Sequence, residues 1–243
     1  MSQRVRLGML TPSSNTVLEP LTAAMLAGVE GVTAHFARFR VTEISLADRA
    51  VAQFDDARLL EAAALLADAR VNAIAWNGTS AGWLGFEADA RLCQRIAEAT
   101  QIPATSSVLA LEEAFRAAGV TRFGLVTPYV DDIQDRIVES FRRRGFECVA
   151  ERHLGERVNF AFAEVPAGTI AALVRDVAAA RPQAITTFCT NLDAAALAAP
   201  LERELGVPVY DTVSAAVWKS LRIAGVDPRR VRGWGRLFTD TTP

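Results

Sequence analysis

Short apolar runs of β type alternate along the chain with stretches whose apolar positions recur at helical spacing. In the first half the runs are VRLGMLTP from Val5, NAIAWNGT from Asn72 and IPATSS from Ile102. Between and after them, helical spacing is seen around Leu59 to Ala69, around Ala88 to Ala99, and again up to Gly119. Strands alternating with helices in this way predict an α/β fold with a mostly parallel sheet.

The pattern then begins again. Leu7-Gly8-Met9-Leu10-Thr11-Pro12 is echoed by Phe123-Gly124-Leu125-Val126-Thr127-Pro128, and Ala73-Ile74-Ala75 by Ala184-Ile185-Thr186. Ile102-Pro103 returns as Val207-Pro208, and Ala117-Ala118-Gly119-Val120 as Ile223-Ala224-Gly225-Val226. The offsets are 116, 111, 105 and 106 residues, in chain order. Four ordered echoes mark an internal repeat. The expected architecture is two pseudo-symmetric lobes, each a mostly parallel four-stranded sheet flanked by helices, with the active site in the cleft between them. The lobes are expected at residues 1–120 and 121–243, the C-terminal tail packing back on the first. Ligands of open parallel sheets bind beyond the carboxyl ends of strands. Four segments fall there: Pro12-Ser13-Ser14-Asn15, Asn77-Gly78-Thr79-Ser80, Pro128-Tyr129 and Cys189-Thr190-Asn191.

Composition narrows the chemistry. The 243 residues are 51% hydrophobic and 22% charged, with a formal net charge of −2. No basic run stands out, so neither nucleic acid nor an acidic membrane surface is an expected partner. No apolar stretch approaches the roughly 20 residues that span a bilayer, and the first residues resemble no signal peptide, so a cytoplasmic protein is expected. Cys93, Cys148 and Cys189 lie far apart, an odd number that argues against a disulfide framework. His35 and His153 are too few and too scattered for a zinc site, and no metal or other cofactor is expected. The single lysine, Lys219, lacks a P-loop setting, and as a Schiff-base candidate it falls inside an amphipathic helix.

Cys189 ends the run AITTF and precedes a helix expected from near Asp193. That setting favours a thiolate, although a free cysteine is most often simply buried structure. Cys93, inside ARLCQRIAEA, and Cys148, in a strand-like run, read as structural. Under the repeat, the counterpart of Cys189 is Gly78. A two-base racemase needs an acid/base group on each face of its substrate; here one face has a thiol and the other a glycine. Gly78→Cys should then restore a proton-transfer group on the second face. Thr79 and Ser80 add two hydroxyls and backbone N–H groups suited to a carboxylate or its enediolate, or else form a plain polar turn. Tyr129, before an apparent helix cap at Asp131-Asp132, is placed to donate to the same carboxylate. Asn15 reads equally as a helix cap, and Asn159 is a lone polar residue in the apolar run RVNFAFAEV.

These residues carry a resemblance to the aspartate/glutamate racemase superfamily, in the branch of arylmalonate decarboxylases and maleate cis-trans isomerases. It covers nearly the whole chain. Gly78-Thr79-Ser80, TPYVDD from Thr127 to Asp132, Cys189, LGVPV from Leu205 to Val209 and the ending Gly233-Trp234-Gly235-Arg236-Leu237-Phe238 are similar to the decarboxylases. Pro12-Ser13-Ser14-Asn15, Pro128-Tyr129 and Asn159 are similar to the isomerases. The isomerases and racemases carry a first cysteine where this chain has Gly78; the decarboxylases have glycine there and keep only the second.

The resemblance implies a cofactor-independent decarboxylase of a substituted malonate. Thr79, Ser80 and Tyr129 would form a dioxyanion hole, with Pro12, Ser13, Asn15, Gly78 and Thr190 around the substrate. Cys189 would protonate the enediolate, and Val41, Ile44, Asn159 and Phe162 would line the pocket of the departing carboxylate. Asn159 and Asn15 are polar where the decarboxylase pocket is apolar, and Thr190-Asn191 replaces its paired glycines, which points to a more polar dicarboxylate. Two alternatives stand beside this reading: a maleate isomerase or amino-acid racemase using one cysteine, and a non-catalytic binder of a small carboxylate. A homo-oligomer is compatible with each.

Overall fold

The computed structural model describes residues 4–41 and 56–240. In chain order the first lobe contains β1 (Val5–Pro12), α1 (Leu18–Leu26), β2 (Val32–Phe39), α2 (Asp56–Asp68), β3 (Ala73–Trp76), α3 (Ala81–Leu84), α4 (Phe86–Thr100), β4 (Ala104–Ser106) and α5 (Ser107–Ala117). The second contains β5 (Arg122–Thr127), α6 (Asp131–Arg143), β6 (Glu147–His153), α7 (Ala167–Ala178), β7 (Ala184–Thr187), α8 (Ala198–Leu205), β8 (Val209–Asp211), α9 (Thr212–Ile223) and the short α10 (Leu237–Asp240). Among the described residues no helix is long and apolar enough to cross a membrane.

Each lobe has one four-stranded sheet, ordered β2-β1-β3-β4 and β6-β5-β7-β8, and every paired strand is parallel. The fold class is therefore the one the alternation predicts. The repeat extends to register: Leu7 faces Ala73 in one sheet and Phe123 faces Ala184 in the other. Trp76 pairs with Ser106 as Thr187 pairs with Asp211. The last echo is a helix ending. Gly119 and Gly225 take φ of 66° and 72°, and the next residue bonds five back, Val120 N–H to Phe115 O and Val226 N–H to Leu221 O, both 2.9 Å. Only glycine enters that left-handed turn without strain, and it satisfies a carbonyl the helix leaves open.

The central strands β3 and β7 are wholly buried, as strands covered by helices on both faces must be. The edge strands are less legible: the apolar pattern does not reveal β2 and only hints at β6. Both are half exposed and carry polar residues such as His35 and Arg38, or Arg152 and His153, so they lack the apolar run that marks a buried strand.

One apolar core runs through both lobes, with Phe115 and Leu111 of α5 and Trp218 and Val217 of α9 fully buried in it. Lys219 and Arg222 of α9 both pair with Glu113 of α5. The sole lysine is thus engaged between two helices. Beyond α9 the chain touches both lobes: Arg230 donates to the Glu30 carbonyl at 2.7 Å, and the Arg236 N–H donates to Glu202 of α8 at 2.8 Å.

Candidate active site

The carboxyl ends of β1, β3, β5 and β7 meet where the two lobes face each other. They enclose a small cavity of ≈20 Å³, lined by Pro12, Val41, Trp76, Gly78, Thr79, Ser80, Trp83, Tyr129, Asn159, Cys189 and Thr190. That is room for about one water molecule. Gly78 and Cys189 both line it, one from each lobe at equivalent strand ends.

Cys189 is 2% exposed. Burial pushes its thiol up to about 12; the Tyr129 hydroxyl and the backbone N–H groups of Asn191 and Leu192 pull the other way, and the nearby carboxylate of Asp211 adds to the rise. The thiolate expected from the sequence is therefore corrected to a thiol at neutral pH. The reason is burial. Helical structure does begin close to Asp193, as a 3-10 turn at Ala195 that runs into α8 at Ala198, but desolvation outweighs the local N–H groups.

Tyr129 is held from several sides. Its backbone N–H donates to Thr127 Oγ1, which itself donates to Gln134 Oε1 at 2.7 Å. Trp83 and Phe162 pack edge-on against its ring, with centroids 5.3 and 5.5 Å away. Its hydroxyl lies 2.6 Å from Thr79 Oγ1 of the other lobe. Burial first, and then Cys189, raise its pKa well above the ordinary value, so it stays a donor. Asp131 and Asp132 are not the helix cap; Val130 holds that position, and the two aspartates form the first turn of α6. Asp131 reaches His153 instead, at 2.7 Å.

Ahead of α3, the backbone N–H groups of Gly78, Thr79 and Ser80 find no acceptor among the described residues. Three adjacent free donors beside two hydroxyls form the kind of cradle that binds a carboxylate.

The asparagines also tie the two lobes together. Asn15 Oδ1 accepts from Val17 and Leu18 N–H, capping α1, while its Nδ2 donates to the Thr190 carbonyl at 3.0 Å. Asn15 is thus a cap and an interlobe strap. The Thr190 hydroxyl donates to the Asn77 carbonyl at 3.1 Å, so it too is engaged between lobes, although Thr190 lines the cavity. Asn191 accepts from Thr16 N–H at 3.0 Å and donates to the Asn159 carbonyl at 2.6 Å. Asn159 donates to Ser14 Oγ at 2.7 Å and still faces the cavity. Ser13 is exposed, its hydroxyl bonded to the Val41 backbone, and Phe162 stands behind Tyr129. Ile44 lies outside the described residues. Among the described residues no three His, Cys, Asp or Glu side chains converge as metal ligands.

Asn191→Ala removes one bond between the lobes and one within the second lobe, and leaves two backbone groups without their partner. A loss of roughly 2–4 kcal/mol is expected if each costs what an unpaired buried group usually does. Differential scanning calorimetry checks it, with Gln94→Ala on the exposed face of α4 as the control that should leave Tm unchanged.

Two tryptophans escape a reading of the sequence. Trp76 continues the apolar run of β3 and reads as core, and Trp83 sits in the short α3. Both line the cavity. An ideal Cβ on Gly78 would lie 2.6 Å from Trp76 Cε2 and closer still to Cζ2, so the Gly78→Cys exchange suggested by the sequence must first displace that ring. Behind Trp76 lies Asp89 of α4, with Ser106 and Trp76 as its hydrogen-bonding neighbours; burial lifts its carboxyl from 3.8 to about 7. A folded-state value raised this far means the native protein keeps a proton that the unfolded chain releases near pH 4. The associated stability is present below about 4 and lost as pH rises to about 7. Asp89→Asn should flatten that part of the stability profile, read as urea midpoints from pH 4 to 8.

Fold and site together define a two-lobed α/β protein with one buried thiol at the interlobe cavity. Residues 7–238 match the arylmalonate decarboxylase family, and the chain belongs to it. It is 32% identical over 167 residues to the arylmalonate decarboxylase of Bordetella bronchiseptica, covering 68% of this chain and 70% of that one. It is 26% identical over 251 residues to a maleate isomerase of Pseudomonas putida, covering 98% and 99%. Among solved structures, a Cys-to-Ser mutant of the Nocardia farcinica maleate cis-trans isomerase, with a covalently bound succinylcysteine intermediate, superposes with a TM-score of 0.89 at 26% identity, covering 98% of this chain and 99% of that one.

Proposed function

We propose that the chain is a cofactor-independent decarboxylase that converts a substituted malonate to the monocarboxylate and CO₂. The observation that carries this reading is the pairing of Gly78 with a single, protonated Cys189 across one cavity. One carboxylate binds the free N–H groups of Gly78, Thr79 and Ser80 and the hydroxyls of Thr79 and Tyr129. The other lies against Val41 and Trp83, where it is poorly solvated. Its C–C bond breaks, CO₂ leaves, and the electron pair moves into an enediolate that the donor cradle stabilises. The Cys189 S–H bond then breaks as its proton goes to the α-carbon. The thiolate, held meanwhile by Tyr129 and two backbone N–H groups, recovers a proton from water.

A maleate isomerase is the second reading, favoured by Asn159 at the cavity wall and by the isomerase relatives. Its relative's succinylcysteine requires a cysteine sulfur bonded to substrate, and here the thiol is pushed up to about 12. The two readings separate by assay. A panel of malonates, maleate and amino acids is tested for CO₂ release and for α-proton exchange in D₂O. Release of CO₂ from a malonate, at a rate level between pH 7 and about 10, is the expected result. Conversion of maleate without CO₂, accelerating as pH rises, would establish the isomerase instead. Binding of dicarboxylates without turnover would reduce the protein to a binder.

A further inference from the structure

We propose that Trp76 is the specificity-determining residue of this site, walling off the side across from Cys189 so that only malonates with a small aliphatic substituent fit there. The chemistry rests on the decarboxylase reading; the wall itself does not.

A glycine serves a fold either by taking a left-handed φ or by letting another group come close. Gly78 has no left-handed φ, whereas an ideal Cβ there would fall 2.6 Å from Cε2 of Trp76 and nearer still to Cζ2 and Cη2. Gly78 is therefore the space the indole occupies. By the repeat, that space is the counterpart of the one holding the Cys189 thiol, since β3 and β7 share their register with β1 and β5. The ring is firmly held. Trp76 is 1% exposed, the Phe39 ring centroid is 5.1 Å away, and Asp89 faces it from α4. A second aromatic ring on that side would have to displace this indole, which already fills the space beside the Gly78 backbone.

Two measurements test this separately. In the first, Gly78→Ala is made in the wild type and in Trp76→Leu, which keeps the core apolar but removes the far ring atoms. Gly78→Ala alone should lower Tm by roughly 4–10 °C through overpacking, and by much less in the Trp76→Leu background, where the shorter side chain leaves room for the added methyl. Equal drops in both backgrounds would overturn the wall, whatever the protein's activity. In the second, CO₂ release is compared on methylmalonate and phenylmalonate. The wild type should favour methylmalonate, and Trp76→Leu should shift the ratio of kcat/KM toward phenylmalonate by about ten-fold or more. An unchanged ratio would overturn the specificity role. No CO₂ from either substrate in any variant, with the Tm difference intact, would instead sink the decarboxylase reading and leave the wall standing.

Discussion

Cys189→Ala is expected to lose turnover by on the order of 10³-fold or more, the usual worth of a positioned general acid, while the protein stays folded. Among the described residues that line the cavity, Tyr129 hydrogen-bonds Cys189, and its proton is bound more tightly than an ordinary phenol's. Cys189→Ser should be nearly as damaged, since an alcohol is a far weaker acid than a thiol. Cys93 and Cys148 provide the contrast. Burial raises both above the ordinary thiol value, and neither lines the cavity. Cys93→Ser and Cys148→Ser should keep most activity. Steady-state CO₂ release with circular dichroism on the same samples measures all four. A Cys189→Ala enzyme with near-normal turnover would remove the proton-donor role altogether.

Tyr129→Phe should cost roughly 2–4 kcal/mol of transition-state stabilisation, the loss of one oxyanion donor in a dry site. Its single proton serves the enediolate first and the Cys189 thiolate after proton transfer, with Thr79 Oγ1 2.6 Å away to donate to the phenol oxygen. Both strengthen as negative charge develops, so the loss should fall on kcat rather than KM. Thr79→Val removes the other member of the pair and should lose a similar amount. The two effects should not add, because each variant already breaks the shared hydrogen bond. A double variant with fully additive losses would show that the hydroxyls act on separate groups.

Much of this is legible in the sequence because buried parallel strands are apolar runs and because the chain repeats itself. The paired registers of Leu7 with Ala73 and Phe123 with Ala184 follow from the same echoes that a reader finds by eye. Thr79, Ser80, Tyr129 and Cys189 are findable because polar residues directly after such runs fall at the strand ends. Asn15 is not decidable. A cap and a substrate ligand look alike in sequence, and the bond that ties Asn15 to the other lobe reaches Thr190, 175 residues away. Trp76 is hidden for the opposite reason: an aromatic residue inside an apolar strand looks like core, and its contact with the backbone of Gly78 exists only in three dimensions. The state of Cys189 is misread from sequence because burial, which outweighs the local donors, depends on both lobes.

The shared strand order of the two lobes has an ancestral consequence. Two identical half-length chains meeting about a twofold axis must offer the same group to both sides of whatever lies on that axis. Such an assembly is even-handed by construction, since any mutation appears twice. Joining the halves into one polypeptide lifts that constraint. A thiol on one side and a glycine on the other becomes available only when both halves share one polypeptide, so the two faces of the cavity can differ.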